Sequence, residues 1–314
     1  MKSILVTGAA GFIGTHLCER LLNEGFKVIG IDNLSLGTLE NMKDFRNHKN
    51  FKYHFVDVFC MGQYQCLDNY TFDAVFHLAA NSDIRNNDPD VEFRNTLSTT
   101  YKMLEFCRTH EIKEFIFPSS GSVYGEPLVN DAIPETFGPC LPISHYAAAK
   151  LASEAFISSY SSMHDIKAWI CRFPNVIGEH ATHGAILDFI NKIRKNPDVL
   201  EVLGDGSQTK PYLYVKDLVD AVLFIWKNAD DVINLYNIAG IGLTSVKEIA
   251  EMVITQMGTN TKIQYTGGDR GWKGDSPYYY PDISKLDKLG WMPTFDSSSS
   301  VELSIKNILD ETKA

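Results

Sequence analysis

Over the first 173 residues, short runs rich in Ile, Val and Phe alternate with longer segments in which apolar residues recur every three to four positions. The short runs read as strands: SILVT (3 to 7), KVIGI (27 to 31), YHFV (53 to 56), AVFHL (74 to 78), EFIFP (114 to 118) and KAWICRF (167 to 173). Most are continuously apolar, the pattern of strands buried on both faces of a parallel sheet. Between them the spacing predicts helices near 12 to 24, 91 to 110 and 145 to 163. In the second of these, Phe93, Leu97, Tyr101, Leu104 and Cys107 stand at helical spacing and are expected to form one buried stripe. The alternation predicts an α/β fold, a doubly wound parallel sheet with helices on both faces.

After about residue 174 the pattern changes to turn-rich stretches, such as GDGSQTKP and TGGDRGWKGDSP, set between short helices. Residues 1 to 173 therefore form the expected main domain, and 174 to 314 mainly a smaller C-terminal lobe. The segment YLYVKDLVDAVLFIW (212 to 226) reads as a strand end followed by a buried helix. Through it the chain is expected to rejoin the main domain at about 212 to 240. The run SSSS at 297 to 300 reads as a helix-entry turn.

The 314 residues suffice for a sizeable core, and 44% hydrophobic with 22% charged residues is ordinary globular composition. A net charge of −10 with no offsetting Lys/Arg run argues against a nucleic-acid partner. No apolar stretch approaches the roughly 20 residues that span a bilayer, and MKSILVTGAAGFIG carries no leader-cleavage pattern, so a cytoplasmic location and no membrane partner are expected. The six cysteines (18, 60, 66, 107, 140, 171) are scattered without a CxxC, which indicates neither a disulfide framework nor a metal site.

Chemistry enters at ILVTGAAGFIG, where Gly8, Gly11 and Gly14 directly follow a strand and open a helix. The first glycine permits a tight turn, the second lets backbone approach a pyrophosphate, and the third lets helix and strand pack closely. Free N–H groups at the helix start face the phosphates. The next strand ends in Asp32 and Asn33, where a carboxylate accepts hydrogen bonds from ribose hydroxyls and repels a 2′-phosphate; NAD is thus favoured over NADP. Asp57, at the end of the third strand, suits either the adenine amino group or a strand-end cap.

TGAAGFIG, DN, HLAA (77 to 80), SSGSVYG and YAAAK stand in one order at compatible spacings. With RFPNVIG, VLGDGSQTKPYLYVKDLVDA and KLGWMP they make nearly the whole chain resemble the extended short-chain dehydrogenase/reductase family, in particular its NAD-dependent nucleotide-sugar epimerases and dehydratases. The resemblance implies a Rossmann sheet with a C-terminal substrate-binding lobe. It implies NAD contacts at Gly8, Gly11, Phe12, Ile13, Gly14, Asp32, Asn33, Asp57, Val58, Leu78, Ala79, Ala80 and Lys150. Tyr146 would be the general base, a phenol that needs nearby positive charge to work near neutrality. Lys150, one helical turn on, supplies that charge and in the family also holds the nicotinamide ribose. Ser120 would bond the sugar oxygen being oxidised. A homodimer through the helices at 91 to 110 and 145 to 163 is a family expectation.

Within the family, the 4,6-dehydratases place Asp and Glu just after the residue matching Ser120, the decarboxylases usually keep the Glu, and the 3,5-epimerases and epimerase-reductases place a cysteine at position 122. Here those positions are Gly121 and Ser122, which leaves 4-epimerisation through a transient ketosugar, with Cys140, Glu126 and His183 as other conceivable proton sources. A dehydratase, decarboxylase or net oxidoreductase on a similar substrate is the alternative, and a non-catalytic dinucleotide-binding protein the more distant one. For the nucleotide-diphosphate sugar, expected to be a UDP-linked hexose or hexuronate, the resemblance implies contacts from Ser120, Ser122, Tyr146, Asn175, Lys210 and Arg270. Two departures stand out: Lys210 occupies a place where relatives usually have Arg, and Arg270 lies two residues further from its Gly-Asp pair. Arg85 reads either as a phosphate or sugar-carboxylate contact or as a surface ion pair. Trp272 and Tyr278 to Tyr280 either line the sugar pocket or pack the second lobe; a bulky Tyr279 at the pocket would disfavour N-acetylated sugars.

Overall fold

The computed structural model describes residues 1–81, 88–126, 131–271, 274, 276 and 278–312. They divide into two compact units, the first built from 1–123, 142–172 and 222–236, the second from 124–141, 173–221 and 237–314.

The first unit carries the sheet. Its strands are β1 (Ser3–Thr7), β2 (Lys27–Asp32), β3 (Phe51–Phe55), β4 (Ala74–His77), β5 (Glu114–Ser120) and β6 (Lys167–Phe173). The strand Ile233–Asn237 completes an order of Ile233–Asn237, β6, β5, β4, β1, β2, β3. The pairs β1–β2, β1–β4, β2–β3 and β4–β5 are parallel. Sequence order reverses between β1 and β4, and such a reversal opens a crevice at the carboxyl ends of the strands. This is the doubly wound Rossmann sheet expected from the alternation of apolar runs. Leu5, Ile29, Val75, Phe115, Phe117 and Ile170 bury the sheet face under Leu104, Phe106 and Ile157 of the covering helices. Each such side chain contributes roughly 1.5–3 kcal/mol by leaving water.

Helices flanking the sheet include α1 (Phe12–Asn23), the short α2 (Pro89–Glu92), α3 (Thr99–Thr109), α4 (His145–His164) and the end of the helix Val215–Asn228, whose Trp226 packs on Phe76 of β4. Ser144 caps α4 by accepting a hydrogen bond from the Ala147 amide at 3.2 Å, the alanines of YAAAK favour helix, and Asp165 ends it in a left-handed conformation (φ 56°). The stripe expected over 93 to 107 is corrected here. Phe93–Ser98 forms a π-helical segment between α2 and α3, and its extra residue per turn rotates the face. Of the expected stripe, Leu104 and Cys107 are buried, whereas Phe93 is 63% and Tyr101 43% exposed; Thr96, Thr100 and Met103 are buried with them.

In the second unit, Val199–Val202 pairs in parallel with Lys262–Tyr265, and Asn175–Ile177 with Tyr212–Tyr214. Helices Ala185–Lys195, Val246–Met257 and Ser297–Glu311 enclose a core of Phe189, Ile190, Leu200, Val253, Val301 and Ile305. The serine run does open a helix: Asp296 caps it by accepting from the Ser299 amide at 2.7 Å. Among the described residues, no helix is long and apolar enough to cross a membrane.

Candidate active site

The glycine turn sits at the crevice. Gly8 has φ +70°, and a Cβ there would lie 2.9 Å from the Ala79 amide nitrogen. A Cβ on Gly14 would stand 2.0 Å from the Gly8 carbonyl oxygen, so helix and strand approach too closely for any side chain. Gly11 closes the turn by donating its amide to Gly8 O at 3.1 Å, and α1 starts at Phe12 with no side-chain cap. The first amides of the helix, from Phe12, Ile13 and Gly14, are left for an anion. The missing side chains and the uncapped amides together fit a dinucleotide pyrophosphate.

Asp32 ends β2 nearly buried. Its Oδ2 accepts from the Ala10 amide at 3.0 Å and its Oδ1 from the Leu34 amide at 2.7 Å. Burial raises its pKa, and these backbone bonds oppose the rise. Each oxygen keeps a lone pair for a ribose hydroxyl. Asn33 instead turns its side chain to the Ser35 amide at 3.1 Å. Gly37, which sequence reasoning passed over, closes the cradle from outside, since a Cβ on it would meet the Ala10 carbonyl at 2.6 Å. Asp57 accepts from the Phe59 amide at 2.9 Å and pairs with Arg94 at 3.6 Å, beside the buried Val58.

The HLAA stretch has a mechanical explanation. Thr7 Oγ1 accepts from the Ala79 amide at 3.0 Å and shares a 2.9 Å hydrogen bond with His77 Nδ1, while the Leu78 amide donates to Thr7 O at 3.2 Å. This holds Leu78, Ala79 and Ala80 against Gly8. His77 is buried, stacked on Phe117, and its pKa is pushed down to about 3 by burial and by Lys150, so the ring is neutral.

Ser120, Tyr146 and Lys150 meet beside this cradle. Tyr146 is hydrogen-bonded to Ser120, and Ser120 Oγ lies 2.8 Å from Ser122 Oγ. Lys150 is 4% exposed; its Nζ donates to Pro118 O at 2.7 Å and lies 5.8 Å from the centre of the Tyr146 ring. Burial lowers the Lys150 pKa to about 8, against the opposing pull of Glu92 and Glu154. Burial and the Glu92 carboxylate push the Tyr146 phenol well above its ordinary value, while the bond to Ser120 works the other way. A lysine on this shoulder of its titration, beside a phenol, is an arrangement for passing a proton.

Sequence reasoning missed Glu92. It is 1% exposed and accepts from Asn81 Nδ2 at 2.6 Å and from Thr96 Oγ1 at 3.1 Å. With both oxygens held by protein donors, it acts on the site as a charge. Among the described residues no group of three or more His, Cys, Asp or Glu is arranged to hold a metal.

A family model described as the NAD dependent epimerase/dehydratase family matches residues 4–239. The chain belongs to the NAD-dependent epimerase/dehydratase family. This family member is 33% identical over 224 residues to the UDP-glucose 4-epimerase of Mycolicibacterium smegmatis, across 69% of this chain and 71% of the relative. Its fold superposes on a crystal structure of a UDP-galactose 4-epimerase with a TM-score of 0.88 at 34% identity, covering 98% and 99% of the two chains. A UDP-glucuronic acid 4-epimerase from Bacillus cereus, solved with UDP-glucuronic acid and NAD, matches with a TM-score of 0.88 at 29% identity over 98% and 99%. The protein is an enzyme, an NAD-dependent epimerase.

The residues assigned by resemblance to the substrate's nucleotide lie in the second unit. Asn175 is exposed at the start of its strand, Lys210 Nζ donates to Ser276 O, and Arg270 is ion-paired with Glu126. Tyr279 is buried and stacked on Tyr124, whose hydroxyl donates to Asn237 Oδ1 at 2.8 Å. Arg85 and Trp272 lie outside the described residues.

Proposed function

We propose that this enzyme interconverts the C4 epimers of a UDP-linked hexose or hexuronate through a transient 4-keto sugar. The observation that carries the reading is the Ser120–Tyr146–Lys150 cluster beside a dinucleotide cradle, with Gly121 and Ser122 where other branches of the chemistry need acids or a thiol. Bound in the cradle, NAD supplies the acceptor and then the donor of a hydride. Tyr146 Oη takes the proton of the C4 hydroxyl, and the Lys150 ammonium stabilises the phenolate that precedes this step. Ser120, backed by the Ser122 hydroxyl, donates to the C4 oxygen as it becomes a carbonyl. Once the sugar presents its other face, Tyr146 Oη gives its proton back to the C4 oxygen as C4 regains the hydride, which yields the epimer. Glu92, held by Asn81 and Thr96, is assigned the role of a fixed charge beside Lys150 and Tyr146 rather than that of a second acid/base. Asn175, Lys210 and Arg270 are assigned to the nucleotide diphosphate, for which Arg270 must exchange its Glu126 partner for phosphate.

The enzyme is assigned to the cytoplasm as a homodimer. Six free cysteines suit a reducing compartment, and Tyr101 and Phe156 form an exposed edge-to-face pair on α3 and α4 that a second copy would cover. The deciding experiment incubates the enzyme with UDP-glucose, UDP-galactose, UDP-glucuronate and their GDP and CDP counterparts. Epimerisation returns an isomer of equal mass with catalytic NAD. A product lighter by one water, or accumulation of NADH, would refute it.

A further inference from the structure

Behind the catalytic cluster lies a buried charged network that the reaction does not use directly. Glu154 Oε1 accepts from Ser119 Oγ at 2.5 Å and from Arg172 Nε at 3.0 Å, and its Oε2 from Arg172 Nη2 at 2.6 Å. Ser119, Glu154 and Arg172 are all buried. They join three elements: the end of β5, the middle of α4 and the end of β6.

The register of these contacts is informative. Residues 146, 150 and 154 lie on one face of α4, one turn apart. Tyr146 reaches Ser120, Lys150 reaches Pro118 O, and Glu154 reaches Ser119. Three successive turns of the helix are thus stitched to three consecutive residues of the strand. Ser119 and Ser120 are consecutive residues at the end of β5 and both bond side chains of α4, so a pull on one sets the presentation of the other.

We infer that Glu154 is a positioning residue for the epimerase reaction: bound to Ser119 and Arg172, it sets α4 against the end of β5 and so fixes Tyr146 and Lys150 relative to Ser120. This rests on the epimerase reading of those three residues. A buried Arg–carboxylate pair is poor value as mere packing, because apolar residues of similar volume often stabilise a fold as well or better. Its directional bonds instead hold the strand end and the helix in one relative placement, and displacement of a catalytic group by about 1 Å costs on the order of a hundredfold in rate. Among the described residues, Glu92 from α2 and Glu154 from α4 act on Lys150, Lys150 acts on His77 from β4, His145 from α4 acts on Glu92, and Arg172 from β6 pairs with Glu154.

The test separates positioning from folding. The double variant Glu154→Met/Arg172→Met removes both charges together, and Ser119→Ala removes one hydrogen bond with the ion pair intact. Each NAD-bound variant is compared with wild type in three readouts: melting temperature, kcat and KM, and the titration of the Tyr146 phenol by NMR of ring-13C tyrosine, assigned with Tyr146→Phe. The double variant is expected to melt at or above the wild-type temperature, with kcat lowered about tenfold or more at nearly unchanged KM. Its phenol titration should move by about half a pH unit or more. Ser119→Ala should move kcat and the titration in the same directions by smaller amounts, and Ser119→Thr should restore both. Wild-type kcat and an unmoved titration in the double variant would overturn the inference. Should that variant not fold, the same null result in Ser119→Ala would overturn it. If the wild type converts none of the sugars, the titration still decides the positioning role, and only the substrate assignment falls.

Discussion

Lys150 makes the active site costly to fold, and that cost can be measured. Its ammonium is almost fully buried, and burial lowers the pKa from 10.5 to about 8. A depression of that size corresponds to about 3 kcal/mol. Below pH 8 the group is charged in the folded and unfolded chains alike, and the folded state bears the whole cost. As pH rises from about 8 to 10.5, the folded chain releases its proton first and the cost disappears, so this group makes unfolding free energy climb across that window. Replacement by Met removes the cost at pH 7 but leaves Pro118 O without its donor, a loss of about 1–3 kcal/mol. Lys150→Met is therefore expected to match or exceed wild-type stability at pH 7 while lowering kcat at least about a hundredfold. Urea unfolding of NAD-free protein at intervals from pH 7 to 10.5 measures the difference between the two proteins, in which other titrating groups largely cancel. The wild type should gain about 3 kcal/mol on the variant across the window. A difference that stays flat, or a variant less stable by more than about 2 kcal/mol at pH 7, would refute the assignment of a destabilising buried ammonium.

Tyr146→Phe should lower kcat by about 10²–10⁴-fold with NAD affinity unchanged by calorimetry; retained turnover would dismiss the phenol as base. Gly14→Ala places a methyl group 2.0 Å from Gly8 O and should abolish NAD binding or folding, seen as loss of NAD-dependent thermal stabilisation. Asp32→Asn should weaken NAD about tenfold or more, since charge-assisted bonds to the ribose are worth about 1.5–3 kcal/mol; an unchanged Kd would place the ribose elsewhere. Glu92 raises the pKa of both Tyr146 and Lys150. Glu92→Gln should therefore slide the whole bell-shaped kcat–pH profile toward acid, whereas loss of activity at every pH would mean that Glu92 transfers a proton itself.

The sheet was legible because its strands are long apolar runs ended by turns, and KAWICRF and SILVT appear with the bounds read from the letters. The glycine cradle was legible because sterics restrict what can occupy it. The stripe over 93 to 107 was misread in part: Leu104 and Cys107 are buried as expected, while Phe93 and Tyr101 are exposed about the π turn at Phe93–Ser98, which has no signature in hydrophobic spacing. Glu92 and Glu154 were invisible for another reason. A glutamate in a helical stretch is by default solvated, and only folding supplies the partners Asn81 and Thr96, or Ser119 and Arg172, that let it be buried. Arg270 shows the converse: its resemblance to a phosphate contact is readable, but its pairing with Glu126, 144 residues away, is not.

The buried charges around the catalytic pair balance. Lys150 and Arg172 face Glu92 and Glu154, and the direction of each effect follows from where the carboxylates stand. Glu154 is ion-paired with Arg172 and favours the Lys150 ammonium, whereas the Glu92 carboxylate raises the pKa of both Lys150 and the Tyr146 phenol. Without Glu92 the Tyr146 phenol would be more acidic. Both carboxylates, each held by protein donors, oppose the burial that lowers the Lys150 pKa and so favour its ammonium.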